Sequence, residues 1–235
     1  MNKFEIVYQK EQELTAQNKY DICALEPFAK EQGYESGLEY LRDKRDYLLS
    51  QWIPKVFRPT LDELAEVCAT SIKNEECKII IPYEEGLHVW EGDQKVDYEL
   101  CEELGVQVVN ASVGGGTFVG SDKDFTMMVV MPRSIGFEYL DILNKLAELI
   151  SKSVEGIEVN GNDLLLDGKK VCGTTWNTTE NTCIFTCQVT FEDYTEYIEK
   201  LCTKKSNKTP SYINNSLLTR DQLEKEILNW LVNKN

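Results

Sequence analysis

Residues Asn160–Gly173 read Asn-Gly-Asn-Asp-Leu-Leu-Leu-Asp-Gly-Lys-Lys-Val-Cys-Gly. The apolar run Leu164–Leu166 has the length of a short buried strand. Asp167-Gly168 behind it is a two-residue hairpin turn, because both positions tolerate positive φ. Lys169–Gly173 then returns as the partner strand. On a regular strand side chains alternate between faces, so Lys170 and Cys172 are expected on one face and Val171 and Gly173 on the other. Asn162 and Asp163 stand just before the outgoing strand. The hairpin therefore gathers a lysine, an acid and an amide in one place, although these residues alone also fit an exposed hairpin with a solvated Lys-Lys tip.

A second informative stretch lies upstream. Gly105–Asn110, Gly-Val-Gln-Val-Val-Asn, is strand-like, and Phe125–Met131 is an apolar strand. Between them stand Gly114, Gly115 and Gly116, followed by Thr117 and Phe118. Consecutive glycines between two strands let a backbone come close to a ligand and offer its N–H groups to an anion. No Gly-Lys-Ser/Thr follows, so this is not a Walker loop. By itself a glycine triplet also fits a flexible loop or a bulge.

The chain has 235 residues, enough for one sizeable core with a small appendage. Its 42% hydrophobic and 10% aromatic content is that of a globular protein. A formal charge of −15 argues against nucleic acid and anionic membrane as general partners, since both demand a basic face. The eight cysteines are scattered through apolar segments without the paired Cys-x-x-Cys spacing of a zinc site, and read as buried thiols. The charged N-terminus lacks the apolar core of a signal peptide, and no run has the length of a membrane span. A reducing cytoplasm is the expected compartment.

Residues 1–57 are charge-rich and helical in pattern, with Tyr40, Leu41, Tyr47, Leu48, Leu49 and Trp52 forming an apolar stripe, and are expected to be a helical appendage. Thr60-Leu-Asp-Glu63 is a capping box that opens a helix bearing Leu61, Leu64, Ala65, Cys68 and Ile72 on one side, so a ligand-binding domain is expected over 58–235. Strands are expected at Lys78–Pro82, Leu87–Trp90, Gln107–Asn110, Phe125–Met131 and Thr182–Thr190. Helices are expected at Asp97–Leu104, around Tyr139–Ile150, over Phe191–Cys202 and after a second capping box, Thr219-Arg-Asp-Gln222. This mixture without βαβ regularity implies an α/β domain on a mixed or mainly antiparallel sheet. His88, the only histidine, sits on an apolar strand and reads as a core or surface residue.

Taken in order, Ser112–Thr117, Asn162–Leu166 and Gly168–Gly173 resemble the biotin/lipoate protein ligase family, most closely its lipoate ligase branch. The family carries a Ser-Gly-Gly-Gly-like loop after a Val-Val strand, then an Asn-Asp-apolar strand ending in Gly-(Lys/Arg)-Lys-(Val/Leu/Ile)-x-Gly. The resemblance implies a class II synthetase-like fold. It also implies a two-step reaction in which ATP activates lipoate or a similar acyl acid to an acyl-adenylate, and a lysine of a lipoyl-type acceptor domain then takes the acyl group. Lys170 would be the catalytic cation. Gly114, Gly115, Gly116, Thr117, Phe118, Asn162, Asp163 and Gly173 would bind substrate and ATP, and Asp163 would ligate Mg²⁺. Where the family has basic residues before the glycine loop and a His-Asp pair after it, this chain has Asn110, Ala111, Gly120 and Ser121. Related octanoyltransferases work without ATP through a cysteine, which makes Cys172 the candidate nucleophile of an alternative acyltransferase reading. A non-catalytic binding protein on the same fold is a third reading.

Overall fold

In the computed structural model the most extensive backbone pairing is that of Thr182–Val189 with Phe125–Pro132 on one side and Cys172–Thr178 on the other. The structure describes the chain apart from residues 1, 18, 20, 52–53, 74–76, 93–94, 111–115, 133–138, 180, 203–207 and 233–235, and the side chains of 45–46 and 48–51. Two compact units are distinguished, residues 1–52 and residues 53–234.

The first unit is three helices: α1 (Lys3–Ala16), α2 (Ile22–Glu31) and α3 (Gly37–Gln51). Asn2 and Glu5 form a reciprocal capping box at the start of α1. Val7, Leu25, Ala29, Tyr34 and Tyr40 make the core, with Leu41 packed against it. Glu11 is buried inside this unit and is satisfied by Tyr40 Oη at 2.6 Å and Lys44 Nζ at 2.7 Å. Of the expected apolar stripe, Tyr40 and Leu41 contribute to this core, Tyr47 is 40% exposed, and Leu48, Leu49 and Trp52 lie outside the described side chains.

The second unit runs β1 (Lys55–Phe57), α4 (Leu61–Lys73), β2 (Lys78–Ile80), β3 (His88–Trp90), α5 (Tyr98–Leu104), β4 (Gln107–Val109), β5 (Phe118–Gly120) and β6 (Phe125–Pro132). It continues with α6 (Tyr139–Ser151), β7 (Ile157–Asn160), β8 (Asp163–Leu166), β9 (Lys169–Thr178), β10 (Thr182–Val189), α7 (Thr195–Leu201) and α8 (Arg220–Val232). Seven strands form one sheet in the order β1-β2-β6-β10-β9-β8-β7, antiparallel except for β1 with β2. Three short strands form a second sheet, β4-β3-β5. This is the mixed, mainly antiparallel α/β architecture expected from the sequence.

Both capping boxes are in place. Thr60 exchanges hydrogen bonds with Glu63 at the start of α4, and Thr219 with Gln222 at the start of α8. Gly105 ends α5 in the left-handed conformation, at φ 66°. On α4, Leu61, Leu64 and Cys68 are buried as expected, while Ala65 faces solvent. The helix expected over Phe191–Cys202 is the shorter Thr195–Leu201, preceded by a turn in which Asp193 Oδ1 accepts from Thr195 N at 3.0 Å.

The large sheet has two different faces. Ile79, Met127, Val129, Phe185 and Cys187 line the face on which Trp176 lies beside Tyr139 of α6, with ring centroids 6.0 Å apart. The opposite face carries Ile80, Met128, Val130 and Ile184, which pack with Leu61, Leu64 and Cys68 of α4 and with Trp90 and Phe118 of the small sheet. Strand alternation places Thr126, Gln188, Thr186, Gly173, Thr175 and Asp163 on this second face. This second face therefore carries a polar row beside its apolar packing.

Candidate functional site

Asn160–Gly173 is a meander of three strands rather than a single hairpin. Gly161, at φ +65°, and Asn162 turn β7 into β8, and Asp167 and Gly168, at φ 52° and 74°, turn β8 into β9. Both turns rest on left-handed residues, as the sequence expectation for Asp167-Gly168 required. β7 escaped sequence reading because its residues are mostly exposed and give no apolar alternation.

The register of β8 against β9 decides what Lys170 faces. Leu164 pairs with Cys172 but Leu165 pairs with Lys170, so one extra residue, Val171, is inserted in β9. Such a bulge breaks the alternation of side chains. The expectation that Lys170 and Cys172 share a face is therefore corrected. Lys170 lies on the face of Gly173 and Asp163, and a Cβ added at Gly173 would fall 2.9 Å from both Lys170 Cε and Nζ. The lysine folds over the space that glycine leaves empty. Its backbone is fixed from a third direction, since Lys170 N donates to Thr209 O at 2.9 Å and Ser211 N donates to Lys170 O at 2.8 Å.

Cys172 faces the core, 1% exposed, and burial pushes its thiol up to about 12 despite the neighbouring lysine. Burial thus disfavours the thiolate that the acyltransferase reading would use at Cys172. Asn162 also takes a different role from the one expected. Its Nδ2 donates to Thr174 O at 2.7 Å, and its carbonyl accepts from Thr174 N at 3.0 Å and from Thr174 Oγ1 at 2.6 Å, so it clamps β8 to β9.

Asp163 is buried between two ammonium groups. Lys170 Nζ lies 2.9 Å from Oδ1 as an ion pair without hydrogen-bond angles, whereas Lys208 Nζ donates to Oδ2 at 2.7 Å. Both carboxylate oxygens thus face lysines, and among the described residues there is no cluster of three histidine, cysteine or acidic side chains placed to hold a metal. The site as arranged does not fit Asp163 as a magnesium ligand. Lys208 carries no short-range sequence signal, because it arrives from a polar segment distant in the chain and only the tertiary fold places it here.

Gly114 and Gly115 lie outside the described residues. Gly116 is exposed, Thr117 Oγ1 accepts from Gly92 N at 3.0 Å, and Phe118 opens β5 with its ring stacked on Trp90 at 5.2 Å. At the other end of β5, a Cβ on Gly120 would fall 2.3 Å from Gln188 Nε2, 3.1 Å from His88 Nε2 and 3.2 Å from Asp124 Oδ2. Gln188 pairs with Gly173, and Gly173 with Asp163. The strand that follows the glycine loop is therefore joined to Lys170 along one row, Gly120 to Gln188 to Gly173 to Asp163.

That row borders a buried polar cluster. His88 is fully buried, with Nε2 3.4 Å from Glu84 Oε1, which agrees with its reading as a core histidine. Asp124 accepts from Phe191 N at 2.7 Å and Ser121 N at 3.0 Å, yet burial raises its carboxyl from 3.8 to about 6. Tyr194 Oη and Ser121 Oγ share a hydrogen bond of 2.7 Å, and burial raises the Tyr194 hydroxyl as well. Among the described residues, both carboxylate oxygens of Glu84, Trp90 Nε1 and the hydroxyls of Thr126, Thr175 and Thr186 are buried without hydrogen-bond partners. Orphaned polar atoms of this kind are costly in a finished core and are found where a ligand or water completes the bonding.

No protein-family model matches the chain, and no curated protein matches it in sequence. Solved structures do match. The structure of P. falciparum LipL1 in complex with lipoate superposes with a TM-score of 0.60 at 12% identity, covering 75% of this chain and 58% of that one. The bipartite lipoate protein ligase of Thermoplasma acidophilum, studied with its E2 lipoyl domain, gives 0.59 at 10% identity over 75% of this chain and 81% of that one. Lipoate-protein ligase A bound with ATP gives 0.54 at 13% identity, with 76% and 83% covered. The chain thus has the lipoate ligase fold, and spans less than two thirds of the length of the P. falciparum protein.

Proposed function

We propose that this chain is an acyl-activating enzyme of the lipoate protein ligase type, which joins lipoate or a similar acyl acid to the α-phosphate of ATP with release of pyrophosphate and passes the acyl group to a lysine on a lipoyl-type acceptor domain with release of AMP. The observation that carries this reading is the row from Gly120 through Gln188 and Gly173 to Asp163, along which the glycine-loop strand is linked to Lys170. The ligase fold supports it. In this reading the helical unit at the N-terminus is an appendage to the ligase-like part, and the protein works in a reducing cytoplasm.

Each residue has a task that follows from its surroundings. Attack of a carboxylate on a phosphate gathers negative charge between them, and a fixed cation there lowers the barrier more than it stabilises the reactants. Lys170 is such a cation: its backbone is bonded on two sides and its ammonium is held at Asp163, while 36% of its side chain remains exposed to a ligand. Gly173 leaves room for it. Gly114, Gly115 and Gly116 would let the backbone approach the nucleotide, with Thr117 and Phe118 beside the base. The orphaned polar atoms would meet the bound acyl acid. No step is assigned to a metal at Asp163.

The direct test is incubation of the full chain with ATP, magnesium chloride and lipoate, followed by mass spectrometry for lipoyl-adenylate. Lys170→Ala should lower adenylate formation by about 10²–10³-fold. Lys169→Ala should change it little, because Lys169 is exposed at the turn. Cys172→Ala should leave adenylate formation within a few-fold of the natural protein. Loss of acyl transfer in Cys172→Ala, together with activity on an acyl carrier and none on free acid, would favour the acyltransferase reading instead.

A further inference from the structure

Two lysines share one buried carboxylate, and they do not share it equally. Lys208 makes the hydrogen bond, at 2.7 Å to Oδ2, and is steadied by Asn160 O and Oδ1 at 3.2 Å each. Lys170 lies at 2.9 Å from Oδ1 without hydrogen-bond geometry, and among the described residues its ammonium donates no hydrogen bond. A buried carboxylate draws the nearest cation into a neutral, hydrogen-bonded pair. Were Lys170 the sole cation here, its charge would be cancelled by Asp163 and its donors turned inward. With Lys208 in that place, two ammonium groups and one carboxylate leave one positive charge, and it is carried by the lysine that lies over Gly173.

We propose that Lys208 is a positioning residue which neutralises Asp163 and so leaves Lys170 charged toward a ligand, making this cluster a binding site for a phosphate-type anion. Lys208 does not touch the anion; it acts through Asp163. The identity of the anion as a phosphate of ATP rests on the ligase reading, but the anion site itself rests only on the three side chains and Gly173. Phosphate and pyrophosphate fit this arrangement, because a compact ammonium with unspent donors binds a concentrated anionic charge.

Calorimetric titration of the full chain with inorganic pyrophosphate, at low ionic strength and without added metal, tests the charge arithmetic. Lys208→Met should weaken binding at least tenfold, since Lys170 then pairs with Asp163. Asp163→Asn alone should tighten it, because the carboxylate that competes for Lys170 is gone. The double variant Asp163→Asn/Lys208→Met should bind within a few-fold of Asp163→Asn, because Lys208 has no carboxylate left to act through. Should Lys208→Met fail to fold, the comparison of Asp163→Asn with the double variant still decides: equal affinities support action through Asp163, and a further loss in the double variant overturns it. A natural protein that binds no pyrophosphate, or a double variant as weak as Lys208→Met, would overturn the proposal. Pyrophosphate binding with this pattern but no acyl-adenylate would sink the ligase reading and leave the anion site standing.

Discussion

Gly173→Ala separates a structural from a functional reason for a glycine. The added Cβ would lie 2.9 Å from Cε and Nζ of Lys170 and 3.8 Å from Asp163 Oδ1. Carbon atoms rest about 3.5–4.0 Å apart, so the end of the lysine must retreat by about 0.6–1 Å. Nζ then leaves its place 2.9 Å from Oδ1, and a catalytic group misplaced by about 1 Å costs on the order of 10²-fold in rate. Folding should suffer little, because the displaced atoms are the end of a flexible side chain. Gly173 does not have positive φ. At such a position replacing glycine by alanine stabilises by about 0.4–1 kcal/mol through the unfolded chain. For a unit of this size that corresponds to a rise in Tm of about 1–4 °C. Adenylate formation measured by mass spectrometry and Tm measured by circular dichroism should therefore move in opposite senses. A variant with adenylate formation within twofold of the natural protein, or with a Tm lowered by more than about 5 °C, would refute the close approach of Lys170.

Two further variants probe the polar cluster. Gly120→Ala should destabilise by about 1–3 kcal/mol, since its Cβ would press on Gln188, His88 and Asp124 at once, and Gly120→Ala/Gln188→Ala should recover most of that loss in a thermal melt. Asp124 has a native pKa of about 6 against 3.8, so between these values the folded protein holds a proton that the unfolded chain releases. Stability from this group is then fully present below about pH 4, falls as pH rises to about 6, and is flat above, by at most about 3 kcal/mol. Asp124→Asn, whose side-chain oxygen can still accept a backbone hydrogen bond, should lack this fall. Urea denaturation of both proteins at pH 4 and pH 7 measures it, and an unchanged difference between them would show that Asp124 titrates as an ordinary carboxylate.

What the sequence determined by itself is local in origin. The turn at Asp167-Gly168, the capping boxes at Thr60 and Thr219, the stop at Gly105 and the apolar runs Phe125–Met131 and Thr182–Thr190 each depend on residues within one turn or strand, so they could be read in order along the chain. The motif around Lys170 was legible for the same reason. What tertiary structure alone decided is which face each of those residues presents and what it meets. One inserted residue, Val171, reverses the facing of Lys170 relative to Cys172, and no propensity announces a bulge in a run of ordinary strand formers. Lys208 reaches Asp163, His88 reaches Gly120, and Gln188 joins the glycine-loop strand to Gly173 only because strand register brings together positions far apart in the chain. A carboxylate looks like a metal ligand in sequence and becomes an anchor for two lysines in the fold, because charge pairing in a buried place depends on every neighbour and not on the residues beside it in the chain.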